Sequence, residues 1–110
     1  MTGAFEDREK GFEAKWAHDE DLRFRTTARR NKLLGLWAAA RMGLTGAAAE
    51  SYANSLLDLE VRGARDEDLM RKIRADFDAQ EVALSDHVIG RTMDELLAEA
   101  QRQVMHEQKT

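Results

Sequence analysis

The feature that most constrains this chain is the absence of proline from its 110 residues. Proline breaks helices because it lacks a backbone N–H group and its ring clashes with the preceding turn. A chain that lacks proline and is rich in Ala, Leu, Glu, Lys and Arg favours long, uninterrupted helices. The sequence therefore predicts an all-α protein without strands.

Apolar residues recur at helical spacing in four consecutive segments. The four stripes are Leu33, Leu36, Trp37 and Ala40; Tyr52, Leu56 and Leu59; Leu69, Ile73 and Phe77; and Ile89, Met93, Leu96, Ala100 and Val104. Each stripe can be buried only against other helices, so the pattern predicts a four-helix bundle. We expect the core to be lined by Leu33, Leu36, Trp37, Tyr52, Leu56, Leu69, Ile73, Phe77 and Leu96.

Glycines and capping residues predict where these helices end and begin. We expect glycine caps at Gly43 and Gly63, and helix starts at Thr45, Asp66, and Ser85 or Asp86. Gly35 falls inside the first helix, where a missing side chain allows another helix to approach closely. Gly90 is unfavourable inside a helix, so a start for the last helix near Arg91 is the alternative to Ser85 or Asp86.

Composition excludes several classes of protein. Cysteine is absent, which rules out disulfides, thiolate metal sites and a cysteine nucleophile. Charged residues make up 35% of the chain, and its longest apolar runs are too short to span a bilayer. The N-terminus lacks the apolar stretch of a signal peptide, so we expect a cytoplasmic protein. Residues 1–32 carry eight basic and seven acidic side chains, which argues against nucleic-acid binding.

Residues 1–18 differ from the rest of the chain. Phe5, Phe12 and Trp16 fall within about 40° of arc on a helix and form a narrow aromatic seam. A seam this narrow buries little surface, so we expect a mobile amphipathic helical arm, with the four-helix bundle over residues 19–110. Packing of the seam on the chain's own bundle is the alternative. Aromatic anchors at such spacing are typical of helix-in-groove recognition.

Three groups of polar residues are candidates for functional sites. The run His18-Asp19-Glu20-Asp21 cannot converge on one metal ion, because consecutive helical residues point in different directions. His18 is a candidate pH sensor, since neighbouring carboxylates favour its charged form. Arg29, Arg30 and Lys32 form a basic cluster that is either a solvated face or a secondary docking or phosphate-contacting surface. No spacing of residues indicates a catalytic site, so we expect a protein that is not an enzyme.

Three stretches of the chain resemble the ATPase-inhibiting zeta subunits of alpha-proteobacterial F1Fo-ATP synthases. They are Phe5 to Asp19, Leu22-Arg23-Phe24, and Ala28-Arg29-Arg30-Asn31-Lys32-Leu33-Leu34-Gly35 followed by Trp37-Ala38-Ala39. Shorter matches are Leu44-Thr45-Gly46, Tyr52-Ala53, Asp66-Glu67-Asp68 and Arg71-Lys72. The resemblance covers roughly residues 5–79, and the C-terminal helix matches only in character.

This resemblance implies an inhibitory subunit that blocks ATP hydrolysis without a cofactor. It implies that the arm inserts at a catalytic α/β interface near the γ rotor, so the α, β and γ subunits of the catalytic head are the expected partners. A peripheral association with the membrane-bound synthase follows from the same likeness. The expected arm contacts are Phe5, Arg8, Lys10, Phe12, Lys15 and Trp16. The alternatives are a helical module that weakly binds adenine nucleotide through the basic cluster, or an unrelated cytoplasmic adaptor.

Overall fold

The structure, a computed structural model, describes residues 20–109. Its helices are α1 (Glu20–Arg41), α2 (Gly46–Val61), α3 (Asp66–Ala79) and α4 (Asp86–Lys109). The described range contains no strand, and the predicted all-α, four-helix architecture is confirmed. The boundary predicted between arm and bundle lies at the edge of this range and stays a prediction.

Three helices end in the same backbone motif, with one residue in the left-handed conformation. That residue is Gly43 after α1, Gly63 after α2 and Glu81 after α3, with φ of 79°, 95° and 58°. In each case the next amide bonds to a carbonyl five residues earlier, an arrangement known as the Schellman motif. The N···O pairs are Leu44 to Ala39 at 2.8 Å, Ala64 to Leu59 at 2.9 Å, and Val82 to Phe77 at 2.8 Å. Both predicted glycine caps are confirmed.

The helix starts agree with prediction except at α3. The Val88 amide donates to Ser85 Oγ at 3.2 Å, so Ser85 caps α4. Thr45 occupies the predicted capping position before α2, although its side chain makes no capping bond. The prediction of Asp66 as the cap of α3 is wrong, because Arg65 holds that position and Asp68 accepts its amide at 2.8 Å. The Asp66 carboxylate instead forms an ion pair with Arg30 on α1.

The core is formed by side chains from all four helices. Those in its central cluster are Leu34, Ala38, Leu56, Leu69, Ile73, Phe77, Ile89 and Met93. Trp37, Tyr52 and Leu96 are partly buried and pack against this cluster. The centroids of the Trp37 and Phe77 rings are 5.8 Å apart. Four predicted core residues, Leu56, Leu69, Ile73 and Phe77, are fully buried as expected.

The stripe predicted on α1 does not coincide with its most buried face. Leu34, Ala38 and Ala39 are fully buried, whereas Leu33 and Leu36 are only partly buried and Ala40 is exposed. The buried face is therefore rotated by more than a quarter turn from the prediction. The reason is that α1 packs closely against both α2 and α4, which requires small side chains.

The two helical glycines have different surroundings. A Cβ atom at Gly35 would lie 2.5 Å from the Cα of Ala53, so Gly35 is the point of close approach between α1 and α2. Gly90 lies inside α4, which begins at Asp86, so the alternative start near Arg91 is wrong. Capping by Ser85 and burial of Ile89 outweigh the cost of about 1 kcal/mol for a helical glycine.

The first turns of α1 and the last turns of α4 extend beyond the other two helices. Arg29 Nη1 donates to Gln103 Oε1 at 2.8 Å, and Arg25 Nη2 lies 3.9 Å from Glu107 Oε1, so these segments run antiparallel. The residues on either side of the turn between α2 and α3 contact Arg30 and Asn31, which come after the first turns of α1. Residues 20–29 and 100–109 therefore form a two-helix stem.

Candidate functional site

Most of the site residues predicted from sequence precede Glu20. They are Phe5, Arg8, Lys10, Phe12, Lys15, Trp16 and the candidate pH sensor His18. All of them lie outside the residues that the structure describes, so their contacts stay predictions. The structure shows the helices that follow these residues in the chain, and the surroundings of the predicted basic cluster.

Arg30 is a buried charge that joins two helices. Only 4% of the residue is exposed, and its Nη2 atom lies 2.6 Å from Asp66 Oδ1 on the first turn of α3. Its Nε atom donates to Asn31 Oδ1 at 2.7 Å. A carboxylate at a helix N-terminus is also stabilised by the helix dipole. Arg30 therefore fixes the start of α3 against α1.

Asn31 and Glu60 extend this contact to α2. Asn31 is 1% exposed, and its Nδ2 atom donates to Glu60 Oε1 at 3.3 Å. Burial raises the pKa of the Glu60 carboxyl, while the bond from Asn31 and the charge of Arg30 act in the opposite direction. We call Arg30, Asn31, Glu60 and Asp66 the polar junction, since they connect α1, α2 and α3.

The other two members of the basic cluster point to different helices. Arg29 Nη2 lies 2.8 Å from Glu107 Oε2 on α4. Lys32 Nζ lies 3.9 Å from Glu50 Oε2 on α2, in a pair that is largely exposed. Arg29, Arg30 and Lys32 therefore have acidic partners on three separate helices and do not converge on one point. Contact of this cluster with a phosphate group stays a prediction.

Sequence reasoning missed a second polar cluster, formed by Tyr52, Lys72 and Asp76. The Tyr52 hydroxyl donates to Asp76 Oδ2 at 2.7 Å, and Lys72 Nζ donates to the same oxygen at 3.0 Å. Burial, followed by the bond to Asp76, raises the pKa of the Tyr52 hydroxyl well above its usual range. The spacing of Lys72 and Asp76 could have indicated their pairing, but nothing local relates either residue to Tyr52.

The described part of the chain shows little that could perform chemistry. In residues 20–109, no group of three His, Cys, Asp or Glu side chains is placed to hold a metal ion. Every buried side-chain nitrogen and oxygen in that range has a hydrogen-bond partner. None of the four described helices is both long and apolar enough to cross a membrane.

Comparison with known proteins identifies the family. A solved solution NMR structure is 35% identical in sequence and superposes with a TM-score of 0.68. The match covers 78% of this chain and 98% of the other. Curated protein sequences gave no significant match. The family model described as ATPase inhibitor subunit zeta matches residues 1–103, which is nearly the whole chain. The chain therefore belongs to the ATPase inhibitor subunit zeta family.

Proposed function

We propose that this protein blocks ATP hydrolysis by inserting residues 1–18 at a catalytic α/β interface of the F1 head, near the γ rotor. An inhibitory role is what its family is named for. The observation that supports this use of the arm is the extent of the family match, which begins at residue 1 and so includes the arm. The α, β and γ subunits are the proposed partners, on the cytoplasmic side of the membrane-bound synthase.

In this proposal the bundle supports the arm and takes no part in the chemistry. Arg29, Arg30 and Lys32 are each engaged with an acidic residue of the chain itself. Hydrolysis of ATP belongs to the target enzyme, and the inhibitor supplies only a steric obstacle and the free energy of binding. No residue of this chain needs to contact the reacting atoms.

The aromatic seam can supply the required affinity. Burying one large apolar side chain contributes roughly 1.5–3 kcal/mol, so Phe5, Phe12 and Trp16 could contribute about 5–9 kcal/mol together. Ordering a mobile helix on binding takes back on the order of 2–5 kcal/mol. The remainder is modest, so Arg8, Lys10 and Lys15 must also contribute by pairing with acidic groups of the target. Inhibition should accordingly weaken as the salt concentration increases.

The decisive experiment compares the full chain with a variant that lacks residues 1–18. Each is titrated into the isolated catalytic head while ATP hydrolysis is measured. We expect the full chain to inhibit, and the truncated chain to fail while showing the same helical circular dichroism and melting temperature. A truncated chain that inhibits at the same concentration as the full chain would disprove the role of the arm. Failure of the full chain to inhibit would disprove the proposed function.

A further inference from the structure

The buried face of α1 continues into the stem, where it becomes exposed. Phe24, Ala28, Asn31, Gly35 and Ala38 follow one another at helical spacing and share about 80° of arc on α1. The last three are buried, Ala28 is partly buried, and Phe24 is 62% exposed. One continuous stripe therefore runs from the core of the bundle to an uncovered aromatic ring.

The end of α2 explains why the stripe becomes exposed. Gly35 packs against Ala53, and Asn31 bonds to Glu60, so α2 covers this face of α1 over the bundle. Helix α2 ends at Val61, and Phe24 lies seven residues before Asn31, about 10 Å farther along α1. On the stem this face therefore has no helix of the bundle to cover it.

Few large hydrophobic side chains are exposed in the described part of the chain. Among the residues whose exposure the structure describes, the exposed large hydrophobic side chains are Phe24, Met105 and Val61. Phe24 and Met105 lie on the two helices of the stem, and Val61 is the last residue of α2. Single exposed apolar residues are common, but an aromatic ring that continues a core stripe is typical of an interface.

We propose that Phe24 is a second docking point on the F1 catalytic head, where it contacts an apolar patch beside the site that the arm enters. This inference rests on the proposed function and extends it beyond residues 1–18. Phe24 is only the fifth residue of α1, and in the chain Asp19 alone separates the arm from Glu20. Because only five residues separate the arm from Phe24 in the chain, we expect a target that holds the arm to lie close to the stem, where burial of Phe24 would add affinity.

The test uses the full chain with Phe24→Glu, titrated into the catalytic head during ATP hydrolysis. We expect the half-inhibitory concentration to increase at least tenfold, as is usual when an aromatic anchor is lost from an interface. The melting temperature should stay unchanged because the ring is already largely exposed. A half-inhibitory concentration within twofold of the wild type would overturn the inference.

Ala47→Glu is the matched control. Ala47 is exposed on the first turn of α2, at the opposite end of the bundle from the stem, and its substitution introduces the same carboxylate. We expect this variant to inhibit like the wild type. An equal loss in both variants would show a general effect of charge and overturn the inference.

Two further outcomes separate this inference from the function on which it rests. If the chain lacking residues 1–18 is inactive but Phe24→Glu inhibits normally, the arm is required and only the inference fails. If Phe24→Glu inhibits more strongly than the wild type, Phe24 instead covers the chain's own arm in the free protein. That result would also overturn a role for Phe24 in contacting the target.

Discussion

Gly35 and Gly90 both lie inside helices, yet we expect their replacement by alanine to have opposite effects on stability. At Gly35 the new Cβ would lie 2.5 Å from the Ala53 backbone, which cannot move aside without separating α1 from α2. Overpacking of this kind costs about 1–3 kcal/mol. At Gly90 the nearest atom is Met70 Cε at 3.2 Å, at the flexible end of a side chain.

Gly90→Ala should therefore gain helix propensity, which is worth up to about 1 kcal/mol, while Gly35→Ala should destabilise the fold. Urea unfolding of the two variants measures both effects against the wild type. A Gly35→Ala variant as stable as the wild type would contradict the close approach of α1 to α2.

Leu33 and Leu34 are neighbours that test which face of α1 is buried. Leu34 is fully buried in the central cluster, whereas Leu33 is only partly buried. We expect Leu34→Ala to lower the free energy of unfolding by about 2–5 kcal/mol, the usual range for a buried leucine. Leu33→Ala should cost clearly less, since it removes fewer contacts. Chemical denaturation of both variants checks the order, and a larger loss at Leu33 would support the stripe predicted from sequence.

At the scale of helices, the end of α3 offers an opportunity for stabilisation. Glu81 has a φ of 58°, in the left-handed region where residues with a side chain are strained by about 1–2 kcal/mol. Glu81→Gly removes this strain, although the greater freedom of glycine in the unfolded chain takes back up to about 1 kcal/mol. We expect a small net gain in melting temperature.

Gly43→Ala is the corresponding control, because Gly43 occupies the same position after α1 with a φ of 79°. This change introduces the strain that Glu81→Gly removes, and it should lower the melting temperature. If both variants shift the melting temperature in the same direction, left-handed strain is not the deciding factor at these helix ends.

At the scale of the whole molecule, we expect the polar junction to make the free energy of unfolding depend on pH. Burial raises the pKa of Glu60, so the folded state binds this proton more tightly than the unfolded state. The resulting stabilisation is fully present below the pKa that this carboxyl has in the unfolded chain, and it is lost as the pH rises through its higher pKa in the folded protein. The neighbouring groups are Arg30, Asn31 and Asp66.

Glu60→Gln removes this titration and is the variant that tests it. The wild type should gain stability relative to the variant as the pH decreases from 7 to 4. Urea unfolding midpoints of both proteins at the two pH values measure this difference. A difference that does not change with pH would show that Glu60 titrates alike in the folded and unfolded chain.

The sequence alone determined the all-α class, the four helices and most of their ends, because these depend on local properties. The absence of proline, the glycine caps at Gly43 and Gly63, and the cap at Ser85 act within a few residues. Spacing also identified Leu69, Ile73 and Phe77 correctly, since α3 buries one narrow apolar stripe. The basic cluster was recognised from sequence, but not the acidic partners of its three members.

Only the tertiary structure decided which face of α1 is buried and what its basic residues do. Two helices approach α1 closely, so small residues such as Gly35 and Ala38 lie at the contact. The sequence prediction relied on large apolar residues and therefore placed the buried side of α1 on a different face. Arg30 is buried because Asp66, distant in sequence, lies 2.6 Å away. Phe24 stands exposed because α2 ends before reaching it. Such contacts depend on where separate helices meet in space, which local spacing does not encode.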